Sequence, residues 1–153
     1  MPQRITDFAD IKDEFIERVE DAVWCNAATV DSQNRPQSRV LHPIWEGPVG
    51  WVAVNRESPK AKHLAANPYI SLAYIKDPMK PVYAECGALW EDDQAIKERI
   101  WELFKSTPEP VGYDPGMIWK NAQDPKYGLL KLEPWLIRLY DLLNQNSHRI
   151  WRA

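Results

Sequence analysis

The stretch from Arg39 to Tyr74, RVLHPIWEGPVGWVAVNRESPKAKHLAANPYISLAY, sets the tightest limits on what this chain can fold into. Its first half reads as two strands joined by a turn at Glu46-Gly47-Pro48, and its end opens another strand, Tyr69 to Ile75. Between them lies a short helix that Ser-Pro-Lys opens and Asn67-Pro68 stops. Ser58 suits the cap position, where its oxygen can accept from an otherwise unpaired first-turn amide. Pro59 suits the first helical position because it has no N–H to leave unpaired. Lys60 and Lys62 place positive charge where free amides and the helix dipole already favour an anion. Arg39, two elements earlier, can fold back to meet them. Such a group makes a phosphate cradle without a glycine-rich loop. An ordinary capped helix with two solvated lysines would carry the same Ser-Pro-Lys.

The remaining segments follow from periodicity. Asp7 to Val23 reads as a helix, with Ile11, Phe15, Val19 and Ala22 recurring at spacings of three and four and Thr6 or Asp7 as its cap. Cys25 to Val30 is a short apolar strand followed by turn residues Asp31 to Asn34. Gln37 to Trp45 alternates loosely, with Arg39, Leu41 and Pro43 on one face and Val40, His42 and Ile44 on the other. Trp45 and Trp51 flank the hairpin turn in position to pack across it. Val49 to Val54 and Val82 to Trp90 are further strands, and Tyr127 to Tyr140 is one or two more, interrupted at Glu133-Pro134. Asp92 to Ser106 is a second long helix, capped by Asp92 or Asp93. Mostly antiparallel strands with short connections suit a mainly β fold, a small barrel with flanking helices. The irregular segment Thr107 to Lys126 is long for a compact domain and carries Tyr113, Met117, Ile118 and Trp119. It either covers a ligand or packs as a rigid loop.

An apolar strand ending in Asp, then Arg-Pro, RVLHPIW, a Trp-rich strand, SPKAKHL and NPYISLAY succeed one another. In that order they resemble the pyridoxamine 5′-phosphate oxidase-like flavin-binding split barrels, over roughly residues 8 to 92. The resemblance implies a six-stranded antiparallel split barrel of the FMN-binding type. It implies that Arg39 and Lys60 contact the FMN phosphate, with Ser58 as a third ligand. Val40, Leu41, His42 and Pro43, together with Ala53 and Val54, would lie along the ribityl chain and ring. It also implies a homodimer with the cofactor at the subunit interface. His42 is the candidate for a catalytic or ligand-binding imidazole, although a lone His serves structure as readily. His63, three residues after Lys60, reads as a helix-surface residue. The pattern departs from a true pyridoxamine phosphate oxidase near Pro81, where that enzyme carries a Gln, and at the C-terminal RIWRA, which lacks an Arg- and His-containing substrate signature. Vitamin B6 oxidation is therefore not implied. The expectation is an FMN-dependent oxidoreductase acting on a small-molecule substrate. A deazaflavin-coenzyme-dependent reductase, or a flavin- or haem-binding stress protein without turnover, is the alternative. Lys60, Lys62 and Arg56 leave a longer acidic coenzyme tail open.

Composition narrows the partners. At 153 residues the chain suits a single domain, 1–153. A net charge of -3 argues against a nucleic-acid partner held by overall charge. No apolar run is long enough for a bilayer-spanning helix, and the N-terminus lacks the apolar core of a signal peptide. Two cysteines are too few for a disulfide framework, so the expected compartment is the cytoplasm. The chain has no G-x-S-x-G, H-E-x-x-H, Walker or Rossmann pattern, and its Cys and His residues lack metal-ligand spacing. Redox chemistry would need a borrowed centre.

Overall fold

Alternation of buried and exposed residues along Cys25–Val30 turns Cys25, Ala27 and Thr29 inward. The computed structural model describes residues 1–153 and repeats this pattern strand after strand around one interior. The elements run β1 (Gln3–Ile5), α1 (Ala9–Ala22), β2 (Cys25–Val30), β3 (Pro36–Leu41), β4 (Ile44–Glu46), β5 (Val49–Asn55) and α2 (Pro59–Ala66). There follow β6 (Tyr69–Tyr74), β7 (Val82–Trp90), α3 (Gln94–Ser106), β8 (Tyr127–Leu139) and β9 (Arg149–Arg152). The sheet order is β1-β9-β8-β7-β6-β2-β3, with β5 joining β8 and β4 joining β5. No helix is long and apolar enough to cross a membrane.

The architecture is mainly β with flanking helices, but the sheet has nine strands rather than six. The additional three are β1, β4 and β9, and each has a physical cause. The segment expected as one strand from Gln37 to Trp45 breaks at His42-Pro43, because Pro43 has no N–H to continue a ladder. Residues 36 to 41 pair with β2, whereas Ile44–Glu46 turn to pair with β5. The two chain ends meet as parallel strands, and β9 joins the C-terminal half of β8. At thirteen residues, β8 is long enough to hold β5 and β9 in turn. Glu133-Pro134 does not interrupt it; the pairing with β7 shifts there, leaving Trp135 as the extra residue of a bulge.

Two cores result, separated by β5 and β8. Ile11, Phe15 and Val19 of α1 plug the interior, where the Phe15 ring meets Trp45 edge-on at 4.9 Å. Trp45 donates from Nε1 to the Tyr74 hydroxyl at 3.0 Å. On the outer face of β5 and β8, Ile100, Trp101 and Phe104 of α3 pack with Trp51, Trp119, Tyr127 and Leu129. Trp45 and Trp51 thus lie on opposite faces instead of packing across their hairpin. Trp45 covers Gly50, its cross-strand partner, where a Cβ would come within 3.0 Å of the ring. Asp93 caps α3 by accepting from the Ile96 amide. Arg149 is bound to the Glu14 carboxylate at 2.9 Å and to the Asp10 carbonyl, so it belongs to the α1 contact rather than to an anion site.

Candidate functional site

The helix α2 starts at the cap residue Ser58, with extended backbone, and Pro59 in its first turn. The Ser58 hydroxyl makes no capping bond. Instead, Lys60 Nζ folds back over the helix start to within 3.5 Å of Ser58 Oγ. Lys60 is half-buried, and its ammonium is held below the usual lysine range, first by burial and second by the charge of Arg39. Arg39 is half-buried too, and burial lowers its own value. Its Nη1 donates to Thr29 Oγ1 at 2.7 Å and to the Ala27 carbonyl at 3.3 Å. Neither Arg39 nor Lys60 is in an ion pair with a carboxylate. Two partly desolvated cations with no counter-ion between them are an unfavourable pair until an anion arrives.

The other basic residues near this helix are spent or open to water. Arg56 is bound to the Asp92 carboxylate at 2.9 Å and lies 4.0 Å over the Trp90 ring. Lys62 is exposed.

Beside the cationic pair the sheet is open. β3 is hydrogen-bonded only to β2, and β5 from Val52 to Asn55 pairs only with β8. The two strands therefore present unpaired edges on either side of a split. A cleft of about 530 Å³ occupies it, with Val40, Leu41 and His42 on one wall, Ala53 on the other, and Tyr113 and Ile118 above.

His42 stands between two aromatic rings in this cleft, 4.6 Å from Trp24 and 4.9 Å from Tyr113 by ring centroids. Its Nε2 lies 2.7 Å from the Val111 carbonyl, which can only accept, so the ring proton is on Nε2 and Nδ1 keeps its lone pair. Burial holds the imidazole below its ordinary value, and the bond to Val111 partly offsets this. Burial also pushes the Tyr113 phenol up to about 12. The cleft wall is thus largely apolar, with Glu109 at its loop side as the one carboxylate, and Arg39 adjoins it as the neighbour of Val40 on β3. The exposed Trp24 that edges the cleft follows Val23, whose φ of 66° is a conformation that β-branched residues rarely adopt.

The expected residues separate into groups. Arg39, Ser58 and Lys60 form a cationic group at the start of α2, while Val40, Leu41, His42 and Ala53 line the cleft. The Val54 side chain lies in the interior core, 3% exposed. Pro43 is buried beside the C-terminal end of α1 and does not line the cleft. Trp119 is packed against Tyr127 in the outer core; the loop residues at the cleft are Tyr113, Met117 and Ile118. Two residues of the site were not anticipated. Thr29 occupies an inward position of β2, a polar residue where the alternation calls for an apolar one. His63, expected at the helix surface, is half-buried, with Nδ1 2.8 Å from Thr29 Oγ1.

No family sequence model matches the chain, and no curated protein matches it in sequence. Solved structures do match. One is a general stress protein 26-related protein of the pyridoxinephosphate oxidase family from Clostridium acetobutylicum. It is 17% identical over 96% of each chain, with a TM-score of 0.73. The fold is that of the pyridoxamine 5′-phosphate oxidase-like proteins. A pyridoxamine 5′-phosphate oxidase-related, FMN-binding protein from Nostoc punctiforme is 14% identical over 95% of this chain and 89% of its own, with a TM-score of 0.66. The haem storage protein HutZ from Vibrio cholerae is 20% identical over 81% and 89%, with a TM-score of 0.60. At these identities the likeness to oxidase-like proteins is one of fold, and the site's chemistry has to be argued from its own residues.

Proposed function

We propose that the chain binds FMN in the split between β3 and β5 and acts as an FMN-dependent oxidoreductase on a small molecule. The observation that carries this reading is the pair Arg39 and Lys60, which has no carboxylate partner and adjoins, through the step from Arg39 to Val40, a largely apolar cleft. A planar ring with a single phosphate on a flexible tail has the complementary shape and charge. Arg39 and Lys60 would hold the phosphate, with the Ser58 hydroxyl beside them. Val40, Leu41, His42 and Ala53 would flank the ring, while Tyr113, Met117 and Ile118 keep water from it. Bound FMN would supply the capacity to accept and return a hydride or electrons, which no side chain of this protein has. His42, with its proton committed to Val111, would offer the Nδ1 lone pair as an acceptor to whatever lies in the cleft.

A deazaflavin coenzyme fits less well, because its longer acidic tail calls for more cations and Arg56 is already paired with Asp92. A haem iron would find a lone pair at His42 Nδ1, because the ring proton on Nε2 is committed to the Val111 carbonyl. The outer face of β2, β3 and β6 has no helix over it and exposes Val40, Tyr69 and nearby Ile75. A second copy of the chain covering this face would bring a partner surface to the cleft through Val40. The free thiols of Cys25 and Cys86 agree with a reducing, cytoplasmic setting.

Titrating FMN with the protein, followed by flavin fluorescence, tests the reading. Arg39→Ala removes a charge-assisted bond to the phosphate, so affinity should fall roughly 30-fold. An unchanged affinity would remove Arg39 from the site and the assignment with it.

A further inference from the structure

We propose that Thr29 and His63 are positioning residues that lock Arg39 against the helix carrying Lys60, so that the phosphate site is assembled before its ligand binds. This rests on the reading of the cationic pair as a phosphate site. Apart from aromatic and thiol side chains, Thr29 is the one buried residue with a polar group, and it is fully inaccessible. A valine would fill the same space with nothing to satisfy, so packing alone does not call for a hydroxyl there.

The bonds explain it. A guanidinium has only donors, so the 2.7 Å contact makes Thr29 Oγ1 an acceptor from Arg39 Nη1. The hydroxyl proton is left for His63 Nδ1, at 2.8 Å, which accepts it. That fixes the His63 tautomer, with its ring proton on Nε2. The chain of bonds therefore runs Arg39 to Thr29 to His63 and links three elements, β3, β2 and α2. Lys60 lies one turn before His63 on the same face of α2. Two like charges would otherwise drive Arg39 and Lys60 apart, and the uncharged Thr29 hydroxyl between Arg39 and α2 sets their separation. A site held in this way loses less freedom when the phosphate enters.

The test compares FMN with riboflavin, which has the same ring and no phosphate. Wild type, Thr29→Val, Thr29→Ser and His63→Leu are titrated with each flavin, and melting temperatures are measured with and without inorganic phosphate. Thr29→Val should weaken FMN roughly tenfold, the effect of one hydrogen bond to a charged group, and leave riboflavin within about twofold. Thr29→Ser should restore FMN binding to near wild type, and His63→Leu should weaken FMN in the same selective way. Should Thr29→Val not fold, His63→Leu on the half-buried helix face decides the matter. FMN binding at wild-type strength in Thr29→Val, or in His63→Leu where that variant decides, overturns the proposal while leaving the flavin reading intact, as does an equal loss of riboflavin. Where wild type ignores FMN yet is stabilised by phosphate, the flavin reading falls and the proposal is judged on loss of that stabilisation in His63→Leu. A wild type that responds to neither overturns both.

Discussion

The His42 imidazole, just past the end of β3, donates from Nε2 to the carbonyl of Val111, 69 residues further along the chain, at 2.7 Å. This bond ties one wall of the cleft to the loop above it. Trp24 and Tyr113 contact the same ring at tilted angles of 54° and 37°. The loop is therefore fastened at its base by a titratable residue.

A pH dependence follows from that burial. His42 titrates below its ordinary 6.5 in the folded chain, so between 6.5 and its lower native value the unfolded chain binds more protons than the folded one. Stability in this window falls as the pH drops. The melting temperature should decrease between pH 7 and pH 5, and the slope should be shallower in His42→Phe, which keeps an aromatic ring and has no proton to gain. Equal slopes in the two proteins would show that His42 does not titrate as its surroundings require.

Lys60 should cost the ligand-free protein stability. Its ammonium is half-buried beside Arg39, and its value is depressed from 10.5. As the pH rises from the native value toward 10.5, the folded chain binds fewer protons than the unfolded one, so stability rises. Lys60→Met removes the repulsion and keeps the apolar stem. Without ligand it should melt about 2 °C higher, the shift of roughly half a kcal/mol in a domain of this size. Its FMN affinity should fall at the same time. A lower melting temperature without ligand would show that the lysine is compensated by the protein itself.

Adjacent loop residues should separate stability from binding. Trp119 is buried on Tyr127 in the outer core, so Trp119→Ala should destabilise the fold by about 3 to 5 kcal/mol in urea unfolding. Ile118 is 66% exposed and lines the cleft, so Ile118→Ser should change stability by less than about 0.5 kcal/mol while altering flavin binding. If Trp119→Ala instead left stability intact and changed only binding, the loop would be a mobile cover rather than a packed one.

What was legible in the chain depended on local cues. That Arg39 could fold back to Lys60 was legible because Ser-Pro-Lys marks a helix start, and Asp93 is a cap by residue type and position. The break at His42-Pro43 was available in principle, since Pro43 cannot continue a ladder, but loose alternation on both sides hid it. The Thr29–His63 bond joins residues 34 apart in sequence and depends on how α2 seats against β2, which no local pattern specifies. The only cue was a hydroxyl at an inward strand position. The strands at the two chain ends exist because β9 docks on β8 and β1 then pairs with β9, and segments of three and four residues give little local signal. Trp45 and Trp51 were misplaced because their partners across the hairpin are Gly50 and Ile44, which put the rings on opposite faces.

The uncovered sheet face yields an assembly prediction. If a second copy covers Val40, Tyr69 and Ile75, sedimentation equilibrium should give twice the chain mass of 17.8 kDa. Ile75→Glu, at a position 51% exposed in the single chain, should shift the protein toward the monomer without lowering its secondary-structure signal. A monomeric wild type at tens of micromolar would rule out the dimer at this face.

The central claim is that the Arg39–Lys60 end and the β3–β5 cleft together hold FMN. The most direct test is a visible absorption spectrum of the purified protein, taken after incubation with FMN and removal of free flavin by gel filtration. The account predicts a flavin spectrum that travels with the protein and is lost in Arg39→Ala. A colourless protein after the same treatment would contradict it.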